Sequence, residues 1–263
     1  MKLAGIYPLF SSSKGNAVFV GDSNAGILID CGVSCKRLLE ALDTCDIPLS
    51  AVKGIFITHE HSDHISGLPV FTKKLKVPVF ASEKTLDHLI KGNYISPLSY
   101  AEPIGNDGID FCGMRINAFE TPHDAVQSCG YKIETSDSKK IAVCTDLGEV
   151  TPIIKENLSG CDCVLIESNY DEHMLKTGVY PYYLKQRISS RKGHLANSDC
   201  AKQVRELLEK GTTRIILGHL SQENNTPQTA EKSVLNSLSG FKRNSDYILT
   251  VAPVCTTGAC CLL

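Results

Sequence analysis

The chain has 263 residues, of which 42% are hydrophobic and 21% are charged, and its formal net charge is −2. This length can bury about three quarters of the unfolded surface in one large domain, while the near-neutral charge argues against non-specific affinity for polyanions but not against a local basic groove. No apolar stretch approaches the roughly 18 residues of a membrane span, and the N-terminal apolar segment is too short for a signal peptide, so we expect a cytoplasmic protein without a membrane partner.

The first third of the chain predicts strands followed by a helix. Residues 17–20 and 27–30, which are apolar except for Asp30, flank a turn over 21–26 that contains Gly and Asn, a pattern typical of a β-hairpin. A helix is predicted from Ser34, whose hydroxyl can cap its first turn. Residues 53–58 form an apolar, β-branched run that indicates a buried strand.

A histidine-rich run follows this strand directly: His59, Glu60, His61, Ser62, Asp63 and His64. Side chains two residues apart at the end of a strand point the same way, so His59 and His61 can bind one metal ion. Asp63 and His64 come where the chain turns into a helix, predicted from His64 to about Leu75, and they project toward a second ion. Four ligands within six residues therefore indicate a pair of metals rather than a polar surface segment.

The remaining elements alternate between strands and helices. They are strand 78–81, helix 82–90, strands 109–112, 114–119, 130–134, 140–145 and 163–167, helices near Tyr182 and over 198–210, strand 213–217, helix 227–238 and strand 247–251. Strands with helices in both halves predict an α/β (α+β) fold in which two sheets pack face to face and are covered by helices. No repeat or long linker interrupts the pattern, so we expect a single domain over residues 1–263.

Three further polar residues follow apolar strands, where a rigid scaffold can present ligands: His123, Asp146 and His219. Taken alone, each has an ordinary interpretation as a loop or capping residue. Together with the histidine run they complete two ligand sets that share Asp146. The sets are His59, His61 and His123 for one ion, and Asp63, His64 and His219 for the other.

Asp30 ends its own strand in the same manner, and we interpret it as a residue that orients a ligand rather than as a ligand. The expected cofactors are two divalent metal ions. Imidazole-rich ligation favours Zn²⁺, while the carboxylates also admit Mn²⁺ or iron.

With these motifs, the chain resembles the metallo-β-lactamase superfamily over nearly its whole length. The resemblance is carried by residues 29–32 (Ile-Asp-Cys-Gly), by the H-x-H-x-D-H motif within 58–64, and by His123, Asp146 and His219. It implies a four-layer αββα sandwich with the dinuclear site at one edge of the sheets. One such fold hosts many reactions, so this resemblance does not fix the reaction.

Within the superfamily the chain is similar to the YycJ (WalJ) group of bacterial proteins, which are regarded as nucleases or phosphodiesterases. The similar stretches are 11–16, 167–171, 193–197 and 218–225. Ala196 departs from the group, where Ser is expected, and this departure leaves His194 intact. The resemblance implies a nucleic-acid substrate.

The chemistry of such a site needs a proton donor besides the metals. Two divalent ions about 3.5–4 Å apart can activate a water and stabilise charge on a phosphoryl group, but the leaving oxygen must still gain a proton. His194 is the candidate because it lies outside the metal set, before a helix that we expect Asn197 or Ser198 to cap. A surface or capping role is its ordinary alternative. Asp63 is the second candidate catalytic residue.

Residues just upstream of His194 offer contacts to a polyanion. Three are candidates for phosphate contacts, with a solvated helix face as the equally weighted alternative: Arg187, Arg191 and Lys192. Three tyrosines could stack on bases, although aromatic residues at this spacing are more often core: Tyr180, Tyr182 and Tyr183.

Twelve cysteines make up about 5% of the chain, which is too few for a disulfide scaffold. Four in apolar contexts are predicted to be small buried hydrophobes: Cys112, Cys129, Cys144 and Cys163. We expect reduced thiols. The sequence leaves open the role of three cysteines near the C-terminus: Cys255, Cys260 and Cys261.

These features predict a dinuclear metal-dependent hydrolase, with a phosphodiesterase or nuclease acting on DNA, exonuclease-like, as the favoured activity. Three alternatives remain: a hydrolase of small phosphodiesters or cyclic nucleotides, a thioesterase or lactonase of the glyoxalase II type, and a non-catalytic regulator. The complete ligand set argues against the regulator, and no residues for a thiol cofactor are identified. DNA is favoured over RNA by the resemblance, not by the residues themselves.

Overall fold

The computed structural model describes residues 5–95, 100–258 and, for the backbone alone, 261–262. Its strands form two seven-stranded sheets. The first sheet contains β1 (Gly5–Ser12), β2 (Gly15–Gly21), β3 (Gly26–Ile29), β4 (Val52–Ile57), β5 (Val79–Ala81), β6 (Ala101–Pro103) and the C-terminal β14 (Cys261–Leu262). Their spatial order is β14-β1-β2-β3-β4-β5-β6, and the pairs from β3 to β6 are parallel.

The second sheet contains β7 (Ile109–Phe111), β8 (Met114–Glu120), β9 (Cys129–Glu134), β10 (Lys140–Cys144), β11 (Cys163–Glu167), β12 (Arg214–Gly218) and β13 (Ile248–Val251). Their spatial order is β13-β12-β11-β10-β9-β8-β7. The pairs from β10 to β13 are parallel, so these strands present their carboxyl ends at one edge.

The helices are α1 (Cys35–Thr44), α2 (Ser62–Ile65), α3 (Leu68–Lys74), α4 (Glu83–Lys91), α5 (Pro152–Leu158), α6 (Glu172–Thr177), α7 (Tyr182–Ile188), α8 (Asn197–Glu209) and α9 (Pro227–Ser237). None within residues 5–95 and 100–258 has the length and apolar character that a bilayer crossing requires.

Three apolar clusters explain the layering. Between the sheets, Phe56 of β4 stacks on Phe80 of β5 at 4.7 Å between centroids and meets Tyr131 of β9 edge-on at 5.6 Å. A second cluster joins the outer face of the first sheet to α1, α3 and α4, and a third joins the second sheet to α5, α8 and α9. Each sheet is therefore buried on both faces, and the predicted αββα sandwich is confirmed.

Several local predictions are confirmed. β2 and β3 pair as an antiparallel hairpin. Ser34 caps α1, since its hydroxyl accepts a hydrogen bond from the Arg37 backbone N–H.

The predicted continuous helix from His64 to about Leu75 is wrong, because the chain forms α2 and α3 with a break at Gly67. The Gly67 N–H donates to Cys31 O at 2.8 Å, and a Cβ at this position would lie 1.9 Å from Val33 O. The chain must pass so close to the loop after β3 that only glycine fits, and the helix restarts beyond it.

Two further expectations are also wrong. Ala196, not Asn197 or Ser198, stands at the N-cap of α8, because the Asn197 side chain is used in a buried hydrogen bond with Ser168 Oγ. Cys112 is exposed at the turn between β7 and β8, whereas Cys129, Cys144 and Cys163 are buried as predicted.

Candidate metal centre

Strand ends from both sheets bring the candidate ligands to one edge of the sandwich. Asp30 follows β3, His59 follows β4 by two residues, Asp146 follows β10 and His219 follows β12. Glu167 is the last residue of β11. The short helix α2 then adds the rest of the histidine run, so residues far apart in sequence meet within hydrogen-bonding distance.

The first proposed set gathers three imidazoles. The ligand atoms of His59, His61 and His123 all lie within 4.8 Å of one another. His61 Nδ1 lies 3.3 Å from His123 Nε2. Two ring nitrogens this close, with a third beside them, have the arrangement of ligands around a single cation.

The second proposed set gathers two imidazoles and a carboxylate. His64 Nε2 and His219 Nε2 each lie 3.6 Å from Asp63 Oδ2. All three ligand atoms lie within 4.8 Å of one another.

Asp146 lies between the two sets. Its Oδ2 is 3.3 Å from His64 Nε2 in the second set, and its Oδ1 is 3.7 Å from His123 Nε2 in the first. One carboxylate thus faces both sets, which is the geometry required of a bridging ligand.

The buried polar atoms of the site fit divalent cations. Three of them have no hydrogen-bond partner: His59 Nε2, Asp146 Oδ2 and His219 Nε2. Each buried unsatisfied group costs on the order of 1–3 kcal/mol, and a cation coordinated by these lone pairs removes that cost. The donor set of five imidazoles and two carboxylates is one that Zn²⁺ and other transition metals accept.

Hydrogen bonds to the far ring nitrogens fix which nitrogen faces the centre. His64 Nδ1 lies 2.7 Å from Asp30 Oδ2, His123 Nδ1 2.9 Å from Gly193 O, and His219 Nδ1 2.6 Å from Glu167 Oε1. Carbonyl and carboxylate oxygens only accept, so each Nδ1 carries the hydrogen and each Nε2 can hold a metal. Asp30 therefore contacts a candidate ligand rather than the centre itself.

The pKa values of the candidate imidazole ligands are shifted in opposite directions. Burial lowers the pKa of His59 and that of His123, which keeps both imidazoles neutral. Burial opposes a charge on His64 too, but Asp146, Asp30 and Asp63 outweigh it and raise its pKa to about 9. His219 has a raised pKa for the same reason, chiefly because of Asp146.

The backbone is strained at three of the strand ends. Asp30, Asp146 and His219 adopt left-handed conformations with φ of 63°, 58° and 54°. Such conformations cost non-glycine residues on the order of 1 kcal/mol or more and persist where the surroundings enforce them. Each turns the chain sharply after its strand and directs the side chain to the shared edge.

His194 lies beside the metal centre, where its Nδ1 is 2.9 Å from Glu167 Oε1. The ring packs 5.1 Å from His123 and 5.3 Å from His219 between centroids, and its side chain is 15% exposed. Since Nδ1 donates to Glu167, Nε2 is the nitrogen left to face a substrate.

Glu167 and Asn16 contact the candidate ligands although the sequence alone did not indicate this role for either. Glu167 is fully buried, and its Oε1 accepts from both His194 and His219. Burial opposes its ionisation, but His194 and His219 outweigh that and lower the pKa of Glu167. The Asn16 amide lies 3.3 Å from Asp63 Oδ2 and 3.1 Å from His64 Nε2. Glu167 gave one signal, since it ends an apolar strand as Asp146 and His219 do.

The three basic candidates differ in their surroundings. Arg187 binds Asp124 through two hydrogen bonds of 2.5 and 3.0 Å, and Arg191 binds Glu149 at about 3 Å. Lys192 has no ion-pair partner within the described part of the chain. It lines a cavity of about 490 Å³ that opens beside His123.

The three candidate stacking tyrosines also differ in their solvent exposure. Tyr182 and Tyr183 are 74% and 73% exposed, so the interpretation of these two as core residues is wrong. Tyr180 is half-buried and packs against a small cluster beneath α7.

The comparisons with known proteins agree with this geometry. A family model described as "Beta-lactamase superfamily domain" matches residues 26–220. The chain belongs to the metallo-β-lactamase superfamily. It is 36% identical over 229 residues to exodeoxyribonuclease YycJ of Bacillus anthracis, which covers 86% of each chain. It is 34% identical over 234 residues to exodeoxyribonuclease WalJ of Streptococcus pneumoniae, covering 88% of this chain and 86% of that protein.

The fold is shared beyond these relatives. Zn²⁺-bound PqqB of Methylobacterium extorquens is only 15% identical, yet it aligns with a TM-score of 0.71 over 96% of this chain and 98% of that chain. The chain is thus a YycJ-like member of a superfamily of metal-dependent hydrolases, as its motifs predicted.

The shared carboxylate gives a test of the dinuclear assignment. We expect the purified protein to hold close to two transition-metal equivalents and Asp146→Ala to lose the pair, because both sets depend on this side chain. Elemental analysis measures the ratio. Asp110→Ala, which removes an exposed carboxylate far from the site, should keep both ions. A wild type that stays metal-free and inactive after Zn²⁺ or Mn²⁺ is added would contradict the assignment.

The raised pKa of His64 predicts proton release on metal binding. With a pKa of about 9, His64 carries protons on both ring nitrogens at pH 7.5, and a metal must displace the one on Nε2. Calorimetric titration of the metal-free protein in buffers of different ionisation enthalpy should therefore show release at pH 7.5, to which His219 also contributes, and the His64 share of this release should decline as the pH rises through about 9. Asp30→Asn should shift this decline to lower pH, because it removes a carboxylate that stabilises the charged ring. Binding without proton release at pH 7.5 would exclude His64 as an Nε2 ligand.

Proposed function

We propose that this YycJ-like protein is an exodeoxyribonuclease that uses two divalent metal ions. The observation that carries the proposal is a complete seven-residue ligand set at one buried edge, with an eighth residue, His194, hydrogen-bonded to Glu167 beside it. The two relatives named as exodeoxyribonucleases support DNA as the substrate. When bound, the ions lower the pKa of a water and supply positive charge to a phosphoryl group under in-line attack.

Asp63 is proposed to orient the attacking water. Its side chain is 22% exposed, whereas that of Asp146 is 2% exposed, so Asp63 is the carboxylate that a solvent molecule can reach. His64 and His219 outweigh the effect of burial and lower its pKa, which keeps it ionised and able to accept a hydrogen bond. The Asn16 amide holds the same carboxylate in place.

His194 is proposed to protonate the leaving oxygen. Glu167 accepts from Nδ1, which fixes the ring and leaves Nε2 as the nitrogen that can donate to the substrate. Because the same carboxylate oxygen also accepts from His219, the acid and the metal ligand are held at a fixed separation.

We propose Zn²⁺ as the resident metal, with Mn²⁺ as the alternative and iron third. Five of the seven ligands are imidazoles, which favours zinc, while a bridging and a terminal carboxylate are compatible with manganese. Zinc in a protein of the same fold, PqqB, is consistent with this order.

We propose the reducing cytoplasm as the compartment. No disulfide forms among the cysteines of the described residues, several of which are fully buried. Buried thiols of this kind persist where the surroundings are reducing.

A salt-dependence experiment separates a nuclease from an enzyme of small phosphodiesters. We propose that Lys192 contacts a backbone phosphate, with Arg187 and Arg191 contributing less because Asp124 and Glu149 already neutralise them. Lys192→Ala should weaken DNA binding and flatten the log–log salt dependence by roughly 0.7–1. Lys210→Ala, at the far end of α8, should leave the slope unchanged.

The same experiment compares end-labelled single- and double-stranded DNA and RNA with a generic phosphodiester dye. Hydrolysis of the dye should be nearly unaffected by Lys192→Ala. The nuclease proposal fails if no nucleic acid is cut under any metal condition while a small or cyclic phosphodiester is.

The role of His194 predicts a substrate-dependent loss. His194→Ala should keep both metals and lose roughly 10²- to 10⁴-fold in turnover on DNA, the usual scale for one acid–base group. The loss should shrink on a nitrophenyl phosphodiester, whose leaving oxygen needs no proton. His88→Ala, on α4, serves as the matched control. An equal loss on both substrates would show that His194 positions phosphate or supports the fold instead.

A further inference from the structure

The pair of helices before His194 exposes an unusual combination of aromatic and basic side chains. We call this surface the α6–α7 face and define it by six residues: Lys176, Val179, Tyr182, Tyr183, Lys185 and Gln186. Val179 is 90% exposed, and the two tyrosines are exposed to about three quarters. Several large apolar side chains exposed within five residues mark an interaction surface rather than ordinary surface scatter.

The segment that carries this face is positively charged, whereas the whole chain has a negative net charge. Residues 172–192 contain five Lys or Arg residues and one acid, while the whole chain has a net charge of −2. Lys176 and Lys185 have no carboxylate partner within the described residues. A surface that combines exposed aromatic rings with unneutralised cations complements a polyanion whose bases have apolar faces.

The face is held in place before any ligand binds. Lys185 Nζ donates to Lys176 O at 2.9 Å and to Gly178 O at 2.7 Å, which fixes the loop between the helices. Gln186 Nε2 donates to the Tyr182 hydroxyl at 2.8 Å. Beneath, Tyr180 packs on a small buried cluster, and a cavity of about 460 Å³ opens between the helices. Little ordering is therefore required on binding.

The face is connected to the candidate acid. The His194 N–H donates to Ile188 O at 2.8 Å at the C-terminal end of α7. Tyr182 and Ile188 are six positions apart, which corresponds to about 9 Å along a helix at 1.5 Å per residue. Tyr182 therefore lies within a few nucleotide lengths of the His194 backbone.

We propose that the α6–α7 face binds single-stranded DNA, with bases stacked on Tyr182 and Tyr183 a few nucleotides from the bond that is cut. Single strands fit because their bases are free to stack on side chains, whereas the bases of a duplex are already stacked. The inference rests on the proposed nuclease function and adds a strand-binding platform to it.

The test uses the metal-loaded enzyme and substrates of two lengths. The double variant Tyr182→Ala/Tyr183→Ala should raise KM for a strand of about 15 nucleotides by roughly 30-fold or more, because it removes two rings and the loss of one base–aromatic stack alone supports roughly a 5-fold or larger effect. Its kcat/KM on a dinucleotide and on a nitrophenyl phosphodiester should stay within about twofold. The double variant to Phe, which keeps the rings, should behave as wild type. Tyr100→Ala, which removes a tyrosine that is 63% exposed at the edge of the first sheet, is the matched control.

Three results would overturn the platform. The alanine variant could cut the long strand as wild type does, or lose activity equally on all substrates, which would indicate damage to the fold. Light scattering could show that the variant dissociates a dimer while DNA cleavage is unchanged, which would make the face a contact between copies of the chain.

A binding measurement distinguishes failure of the nuclease proposal from failure of the strand-binding platform. If wild type cuts no nucleic acid, fluorescence anisotropy with the labelled strand still decides the inference. Binding that falls on the tyrosine-to-alanine change but not on Tyr100→Ala supports the platform, and binding equal in all variants refutes it.

Discussion

The buried carboxylate of Glu167 is the interaction on which the rest of the site depends. Removing a carboxylate from water costs several kcal/mol unless its lone pairs are satisfied, and here they are. Oε1 accepts from His194 and His219, while Oε2 accepts from the backbone N–H groups of Leu147 and Leu195, each at 3.0 Å. A proposed metal ligand, a proposed acid and two loops from different strands are thus positioned by one side chain. Because Glu167 ends β11, its position is set in turn by the parallel pairing of β11 with β10 and β12.

Burial elsewhere in the fold also explains why the edge of the sheets that holds the site tolerates backbone strain and buried charge. Asp30, Asp146 and His219 each carry a left-handed backbone conformation, and Asp146 is nearly inaccessible while surrounded by imidazoles. None of these features stabilises the fold by itself. The apolar clusters on both faces of each sheet supply the stability that lets the edge hold unfavourable geometry, and bound cations would satisfy the polar atoms that the protein leaves without partners. The centre therefore has unfavourable local geometry and unpaired polar atoms, and in return its ligands are already positioned for metal binding.

A structural feature of this protein can be predicted from the sequence when it depends on residues that are close together in the chain. The histidine run, the strand-ending His123, Asp146 and His219, and the αββα layering follow from short-range patterns and were predicted. The roles of Glu167 and Asn16 depend on partners distant in sequence, such as His219 for Glu167 and Asp63 for Asn16, so no local pattern specifies them. The break at Gly67 arises from contact with the loop after β3, and the exposure of Tyr182 depends on what the rest of the chain leaves uncovered. Periodicity alone cannot supply such tertiary information.

The net charge of −2 conceals two opposite local environments. Carboxylates concentrate at the buried edge, where Asp30, Asp63, Asp146 and Glu167 are balanced by imidazoles and, in the proposed enzyme, by metal ions. Basic residues concentrate on the adjoining segment 172–192, where solvent can reach them. A polyanionic strand would be attracted to the second environment and would meet the first only at the bond to be cut. Bound cations would add positive charge to that first environment, so metal loading would favour the approach of the phosphate on electrostatic grounds as well as supplying the chemistry.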